Sequence, residues 1–190
     1  PTKNKYKIII EADAFPSDIY AVESQIKYHG YSVNDSLIKL TPRDGESSIR
    51  TEDIAEIIDR EGNEIALIML GGVNYYTGQV FDFETITKLG QDKGIVVGFD
   101  LAHAAGNVNL ELHKWNIDFA AWCGYKYLNG GHGAPAYLFV AQRHLEASKN
   151  TLTGWMGHAS PFGFDINYEP SETIEKFRCG TPAILSYLAL

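Results

Sequence analysis

Cysteine and methionine are scarce in this chain, with two of each in 190 residues. Cys123 and Cys179 are too few for a disulfide framework and fit a reducing compartment, so the cytoplasm is the expected location. Basic residues are also in deficit: 16 Lys and Arg stand against 24 Asp and Glu, a formal net charge of -8. With neither a basic tail nor a basic stripe, a nucleic acid or an anionic membrane is excluded as the expected partner. Long hydrophobic runs are missing too. The longest, residues 65–70 and 136–141, are strand-sized and far short of the roughly 20 residues that span a bilayer. The opening Pro1-Thr2-Lys3-Asn4-Lys5 is polar and leads into no apolar signal core. Six histidines are present, but the sequence has no His-x-x-x-His or similar ligand spacing, and no metal site is expected. His29 suits the last turn of a helix, and His113 and His144 lie among polar neighbours. His158 is left open between packing and an active-site wall.

What is there reads as one α/β unit. Residues 6–12 form a β-branched run with the look of a buried strand. A helix over 18–29 follows, with Ser17 as its cap, Asp18 at its positive end, and Ile19, Val22 and Ile26 on one face. A short strand over 36–40 precedes a second helix capped by Thr51, with Ile54, Ile57 and Ile58 on its apolar face and Gly62 at its end. A strand over 65–70, a helix over 82–93 and a strand over 95–99 come next. Strands alternating with helices of this length imply a three-layer, mostly parallel sheet with helices on both faces. The loop Asn129-Gly130-Gly131-His132-Gly133 is too short for a helical crossover, so residues 136–140 should pair antiparallel with the preceding strand. Residues 153–181, rich in Gly, Pro and aromatics, lack a clean period and read as a long ordered excursion. There is no initiator Met, and residues 182–190 resemble a helix just begun. The expectation is therefore a fragment: residues 1–190 as the core of a large cofactor-binding domain.

The chemistry gathers in residues 95–135. One apolar run ends in Asp100, with His103 three residues on. The next, Phe119-Ala120-Ala121-Trp122-Cys123-Gly124, ends in Tyr125 and Lys126. Acid and amine at the ends of two buried strands are costly in a core but suit the carboxyl edge of an α/β sheet, where such folds bind ligands. A lysine in a partly apolar pocket becomes a nucleophilic amine suited to Schiff-base formation. Pyridoxal 5'-phosphate is the familiar partner, and it needs a carboxylate at its pyridinium nitrogen, for which Asp100 is the candidate. Two readings stand on these residues alone. In the other, Asp100 caps a helix, His103 is a satisfied interior histidine and Lys126 is a strand-end surface amine. Tyr75 and Tyr76 read as sheet-edge packing, and Cys123 as a buried small apolar residue.

Longer stretches favour the first reading. Phe99-Asp100-Leu101-Ala102-His103-Ala104, Trp122-Cys123-Gly124-Tyr125-Lys126-Tyr127-Leu128-Asn129 and Gly154-Trp155-Met156-Gly157-His158 together resemble the kynureninase family. So do Ala14-Phe15-Pro16-Ser17-Asp18, Tyr76-Thr77-Gly78-Gln79 and Phe177-Arg178-Cys179-Gly180-Thr181-Pro182. The Asp-x-x-His-Ala part is shared across fold-type-I pyridoxal-phosphate enzymes, including cysteine desulfurases and class V aminotransferases; the others are more specific. The resemblance implies a fold-type-I large domain and pyridoxal phosphate as cofactor. It makes Lys126 the Schiff-base lysine, Asp100 the ring-nitrogen partner, His103 a cofactor contact, and Tyr125 a phosphate ligand that also serves acid–base steps. It implies a homodimer in which Trp155 and Thr181 reach the neighbour's cofactor. It also implies hydrolysis of L-kynurenine or 3-hydroxykynurenine to anthranilate or its hydroxy analogue and L-alanine, a step of tryptophan catabolism and NAD biosynthesis.

Two positions depart from the family. Gly71 stands where Ser or Thr is usual near the cofactor, and His132 where a small residue or proline is. The resemblance also places the ring-stacking aromatic and the phosphate-binding helix start ahead of Pro1, and the small domain after Leu190. The alternatives are desulfurase-like or aminotransferase chemistry on the same cofactor, or a non-catalytic homologue.

Overall fold

The computed structural model describes residues 1–148, 152–188 and 190. Six strands, β1 (Lys7–Glu11), β2 (Leu37–Leu40), β3 (Ile65–Gly71), β4 (Val96–Asp100), β5 (Phe119–Cys123) and β6 (Ala136–Val140), form one sheet in the order β2-β1-β3-β4-β5-β6. The first five run parallel and β6 pairs antiparallel with β5, as the short 129–133 loop requires. The longer helices are α1 (Pro16–Tyr28), α3 (Thr51–Glu61) and α4 (Phe83–Asp92), with single turns at α2 (Val33–Ser36), α5 (Gln142–Leu145) and α6 (Ile184–Tyr187).

The strand period of two sorts the core onto both faces of the sheet. Ile8 and Ile10 of β1 pack with Val22 and Ile26 of α1 on one side. Ile9 between them turns to the other side, where Ile54 and Ile58 of α3 and Ile86 of α4 meet Ile68, Val97 and Phe99. The three-layer expectation holds.

Two caps differ from expectation. α1 begins at Pro16 with Phe15 as its N-cap, and α3 begins at Thr51 itself with Arg50 before it; neither cap makes a side-chain hydrogen bond. Proline at the first helical position supplies the helical φ and lacks only an N–H that would have been unpaired, so it starts α1 ahead of Ser17. Asp82 does cap α4, its Oδ1 accepting from the Thr85 N–H at 3.0 Å. Ser36, expected to open β2, ends the α2 turn instead. Cys123 is half-buried and Cys179 exposed. His113 packs edge-on to the Phe139 ring, centroids 5.1 Å apart, rather than lying in a purely polar setting.

The 153–181 excursion folds on itself around three 3-10 turns, Trp155–Gly157, Pro161–Gly163 and Ile174–Phe177. Gly154 lies so close to the Cys179 carbonyl that a Cβ there would fall 1.9 Å from its oxygen, which packs the Gly-Trp and Arg-Cys-Gly stretches together. His158 is tied within the same segment. Its Nδ1 accepts from the Ser160 N–H at 2.8 Å and its Nε2 lies 3.1 Å from the Asn167 carbonyl oxygen. Ile184–Tyr187 is the one turn of helix expected in 182–190; Ala189 lies outside the described residues.

Asp118, 3% exposed, fastens the opposite edge of the sheet. Its Oδ2 accepts from the Val97 N–H at 2.8 Å and Gln91 Nε2 at 3.0 Å, and its Oδ1 meets Arg143 at 2.6 Å and His144 Nε2 at 2.5 Å. Burial opposes the charge, but His144, the Val97 amide, Gln91 and Arg143 together hold the carboxyl below its usual range. A lowered carboxyl stabilises the fold above its unfolded pKa, and that stability is lost as pH falls through the folded value. Asp118→Ala should destabilise the protein by about 3 kcal/mol near neutral pH, read by denaturant unfolding, with the difference from wild type shrinking in acid.

Candidate active site

Because β1, β3, β4 and β5 are parallel, their last residues reach one edge of the sheet. Gly71 lies opposite Asp100, and Asp100 opposite Ala121. The chain leaves β1 at Glu11 and turns at once, with the Ala14 N–H bonded to the Glu11 carbonyl and Ala14 buried. Pro16 then starts α1, so Phe15 and Asp18 stand over this edge. Asp100 is fixed from both sides: its Oδ1 accepts from the Ala102 N–H at 2.8 Å and its carbonyl from the Gly72 N–H at 2.7 Å. Fully buried Leu101 anchors the turn that follows.

Lys126 comes from the loop after β5. Its Nζ lies 5.6 Å from the centroid of the Phe15 ring and 5.8 Å from that of Tyr125. Phe15 meets Tyr75 edge-to-face at 5.5 Å, and the His103 ring sits 6.4 Å from Tyr75 and 6.3 Å from Tyr127. A cavity of about 640 Å³ opens over His103, Gly106, Lys126, Tyr127 and Asn129.

The electrostatics of this edge are crowded. Burial raises Asp18 first, helped by the charge of Asp100, a hydrogen bond with it and the charge of Glu11. Lys126 opposes them, and the carboxyl is pushed up to about 7. Asp18 therefore keeps its proton up to near neutrality, held there by burial and by the carboxylate beside it. Burial, then the Lys126 ammonium, holds His103 below its usual pKa against the pull of Asp100, which favours the neutral imidazole.

The structure thus brings Asp100, His103 and Lys126 together, and it corrects the expectation that acid and amine are buried, since both are half-buried. Tyr125 adjoins the lysine but is 52% exposed. Gly71 sits at the site's floor beside Asp100. Trp155 and Thr181 do not line the cavity; Trp155 packs against Phe162 and Phe164. Tyr75 borders the site rather than merely packing at the sheet edge, while Tyr76 is largely exposed. His132 is exposed.

Residue-by-residue reading passed over Phe15, Asp18 and Glu11. Phe15 places an aromatic ring beside Lys126 within this chain. The signal lay in Ala14-Phe15-Pro16-Ser17-Asp18, a stretch matched to the family but given no chemical part.

A half-buried amine faces an aromatic ring near two neighbouring carboxyl groups, Asp100 and the raised Asp18. That donor set fits a flat heteroaromatic cation with an aldehyde beside it: the carboxyl groups can meet the cation, while the amine meets the aldehyde. Pyridoxal phosphate fits that description.

The chain belongs to the aminotransferase class-V family, which matches residues 2–190. Within it, the chain is 48% identical to a kynureninase from Homo sapiens across its whole length, covering 41% of that protein. It is 50% identical to a kynureninase from Koribacter versatilis, covering 46%. The chain thus spans less than half the length of these curated relatives. Among solved structures, a cysteine desulfurase from Thermococcus onnurineus NA1 superposes with a TM-score of 0.76 at 19% identity, over 98% of this chain and 44% of that one. The cystine C-S lyase C-DES gives 0.79 at 19%, over 100% and 49%. These likenesses show the fold of fold-type-I pyridoxal-phosphate enzymes. Among the described residues no helix is long and apolar enough to cross a membrane.

A carboxyl pKa raised by folding makes stability greatest in acid and removes it as pH rises through the folded value. The cofactor-free protein should therefore melt at falling temperatures from about pH 5 to about pH 8, and Asp18→Asn should flatten that slope in thermal melts. An unchanged slope in the Asn variant would show that Asp18 does not hold the proton.

Proposed function

We propose that the whole protein hydrolyses L-kynurenine, or its 3-hydroxy form, to anthranilate or 3-hydroxyanthranilate and L-alanine, with pyridoxal phosphate as cofactor. The observation that carries the chemistry is the placement of Asp100 at the end of β4 and of Lys126 in the loop that follows the adjacent parallel strand β5, with Lys126 and His103 lining one cavity. Near-50% identity with kynureninases over the whole chain supports kynurenine as the substrate. In this reading the chain forms the core of the large domain, the enzyme works as a cytoplasmic homodimer, and Trp155 and Thr181 reach the neighbour's site. The exposure of both residues, away from the cavity of their own chain, supports that arrangement.

The cofactor supplies an electron sink for the substrate's α-carbon. Asp100, fixed by the Ala102 amide, holds the proton on the ring nitrogen and keeps that sink open. Lys126 would hold the cofactor at its aldehyde carbon, and its amine is the base placed for the substrate's α-proton. His103, neutral, borders the ring without adding positive charge beside the pyridinium. Tyr125, next to the lysine and open to solvent, binds phosphate and passes protons to the leaving carbon. Phe15 provides an apolar face.

In the full-length enzyme, Lys126→Ala should lower anthranilate release from kynurenine by about 1000-fold or more, followed by product fluorescence. Asp100→Asn should lose at least about 100-fold through kcat. Sulfide release from cysteine with no anthranilate formed would sink this reading and favour a desulfurase.

A further inference from the structure

Glu11 has no part in the chemistry above, yet it is the most constrained acid at the site. It ends β1 and is 2% exposed. Its Oε1 accepts from the Gly71 N–H at 3.0 Å, and its Oε2 is buried with no hydrogen-bonding protein group among the described residues. Asn74, whose amide also faces this carboxyl, gives one Nδ2 hydrogen to the Asp13 carbonyl at 3.0 Å. A carboxylate oxygen left buried without a donor is strongly unfavourable. A protonated acid removes that charge, keeps Oε1 as the acceptor for Gly71, and turns Oε2 into a donor.

The second observation concerns Gly71. A Cβ built there would stand 2.9 Å from Glu11 Oε1, so the carboxyl tip already occupies the space a side chain at position 71 would take. Position 71 pairs with Asp100 across β3 and β4, so whatever fills that space abuts the acid that faces the ring nitrogen. The titratable groups that act on Glu11 are Asp18 from α1 and Asp100 from the end of β4; Lys126 in turn acts on Asp18, and His103 lies near Asp100 and Lys126. Burial raises the Glu11 carboxyl, against the Glu11 and Gly71 amides and Asn74, which pull it down, and the charge of Asp100 adds to the rise.

We propose that Glu11 is a positioning residue of the cofactor cradle: an uncharged acid that fills the side-chain space of position 71 and confines the site's negative charge to the Asp18–Asp100 pair. This rests on the pyridoxal-phosphate reading of the site.

The test uses the full-length protein, with pyridoxal phosphate affinity by fluorescence titration and cofactor-free melting against pH as readouts. Glu11→Gln keeps the shape and the acceptor for Gly71, so its affinity should stay within about 3-fold of wild type. Its cofactor-free melting temperature should fall less steeply with rising pH, because the proton Glu11 carries is gone. Glu11→Ala strands the Gly71 amide and should weaken cofactor binding by about 10-fold or more. Gly71→Ala should weaken binding in wild type but add little in the Glu11→Ala background, since the clash it makes has been removed. A Gln variant whose melting curve follows wild type at every pH would show that Glu11 is ionised and overturn the proposal. So would a Glu11→Ala protein that melts lower yet binds cofactor like wild type. If wild type itself takes up no pyridoxal phosphate, the reading of the site falls first, and this inference with it.

Discussion

Too much negative charge at one end of a sheet is the constraint on which the site depends. Glu11, Asp18 and Asp100 crowd there, and Lys126 is the ammonium that faces them. Carboxylates brought together out of water cannot all ionise; their protons are retained in turn. The parallel register makes the crowding unavoidable, because it delivers the ends of β1, β3 and β4 to one edge while Pro16 turns α1 back over it. A fold built this way is poised for a cation. A ring that carries its own positive charge relieves the repulsion that folding created, so part of the binding free energy for such a ring is already stored in the empty edge.

Much of this was legible in the sequence. The β-branched runs, the 3.6-residue spacing of Ile54, Ile57 and Ile58, and the short loop after Lys126 suffice for the strand types and the antiparallel β6. Helix starts were harder. Ser17 and Thr51 are good capping residues by type, but Pro16 at the first helical position moves the start of α1 forward, and α3 begins at Thr51 itself. Capping depends on where the chain turns, and that is decided by the strand before it as much as by the local residues.

Asp100 and Lys126 could be found because each follows an apolar strand, where a charged group stands out. Asp18 and Phe15 could not be found that way. Asp18 looks like an ordinary first-turn acid favouring a helix dipole, and Phe15 like an apolar residue before a helix. Their chemical parts come from β1 lying between β2 and β3, which points the start of α1 at the ends of β3 and β4. That is a fact of topology with no local signature. Glu11 was hidden for another reason: it lies inside a β-branched run that reads as one buried strand, and only the contact with Gly71 shows what its carboxyl meets.

The half-exposure of Asp100 and Lys126 bears on how such a site works when covered. Tyr125 and Tyr127 beside the lysine are about half exposed, so water still screens the charges at this edge. Any protein surface laid over the cavity would expel that water and strengthen every interaction within it. The penalty on unpaired carboxylates would grow, which tightens the hold of Asp18 on its proton. The attraction for a bound cation would grow as well. Covering the site therefore sharpens the contrast between its empty and filled states, and the burial that makes the empty cradle costly is the same burial that makes the filled one selective for a charged ring.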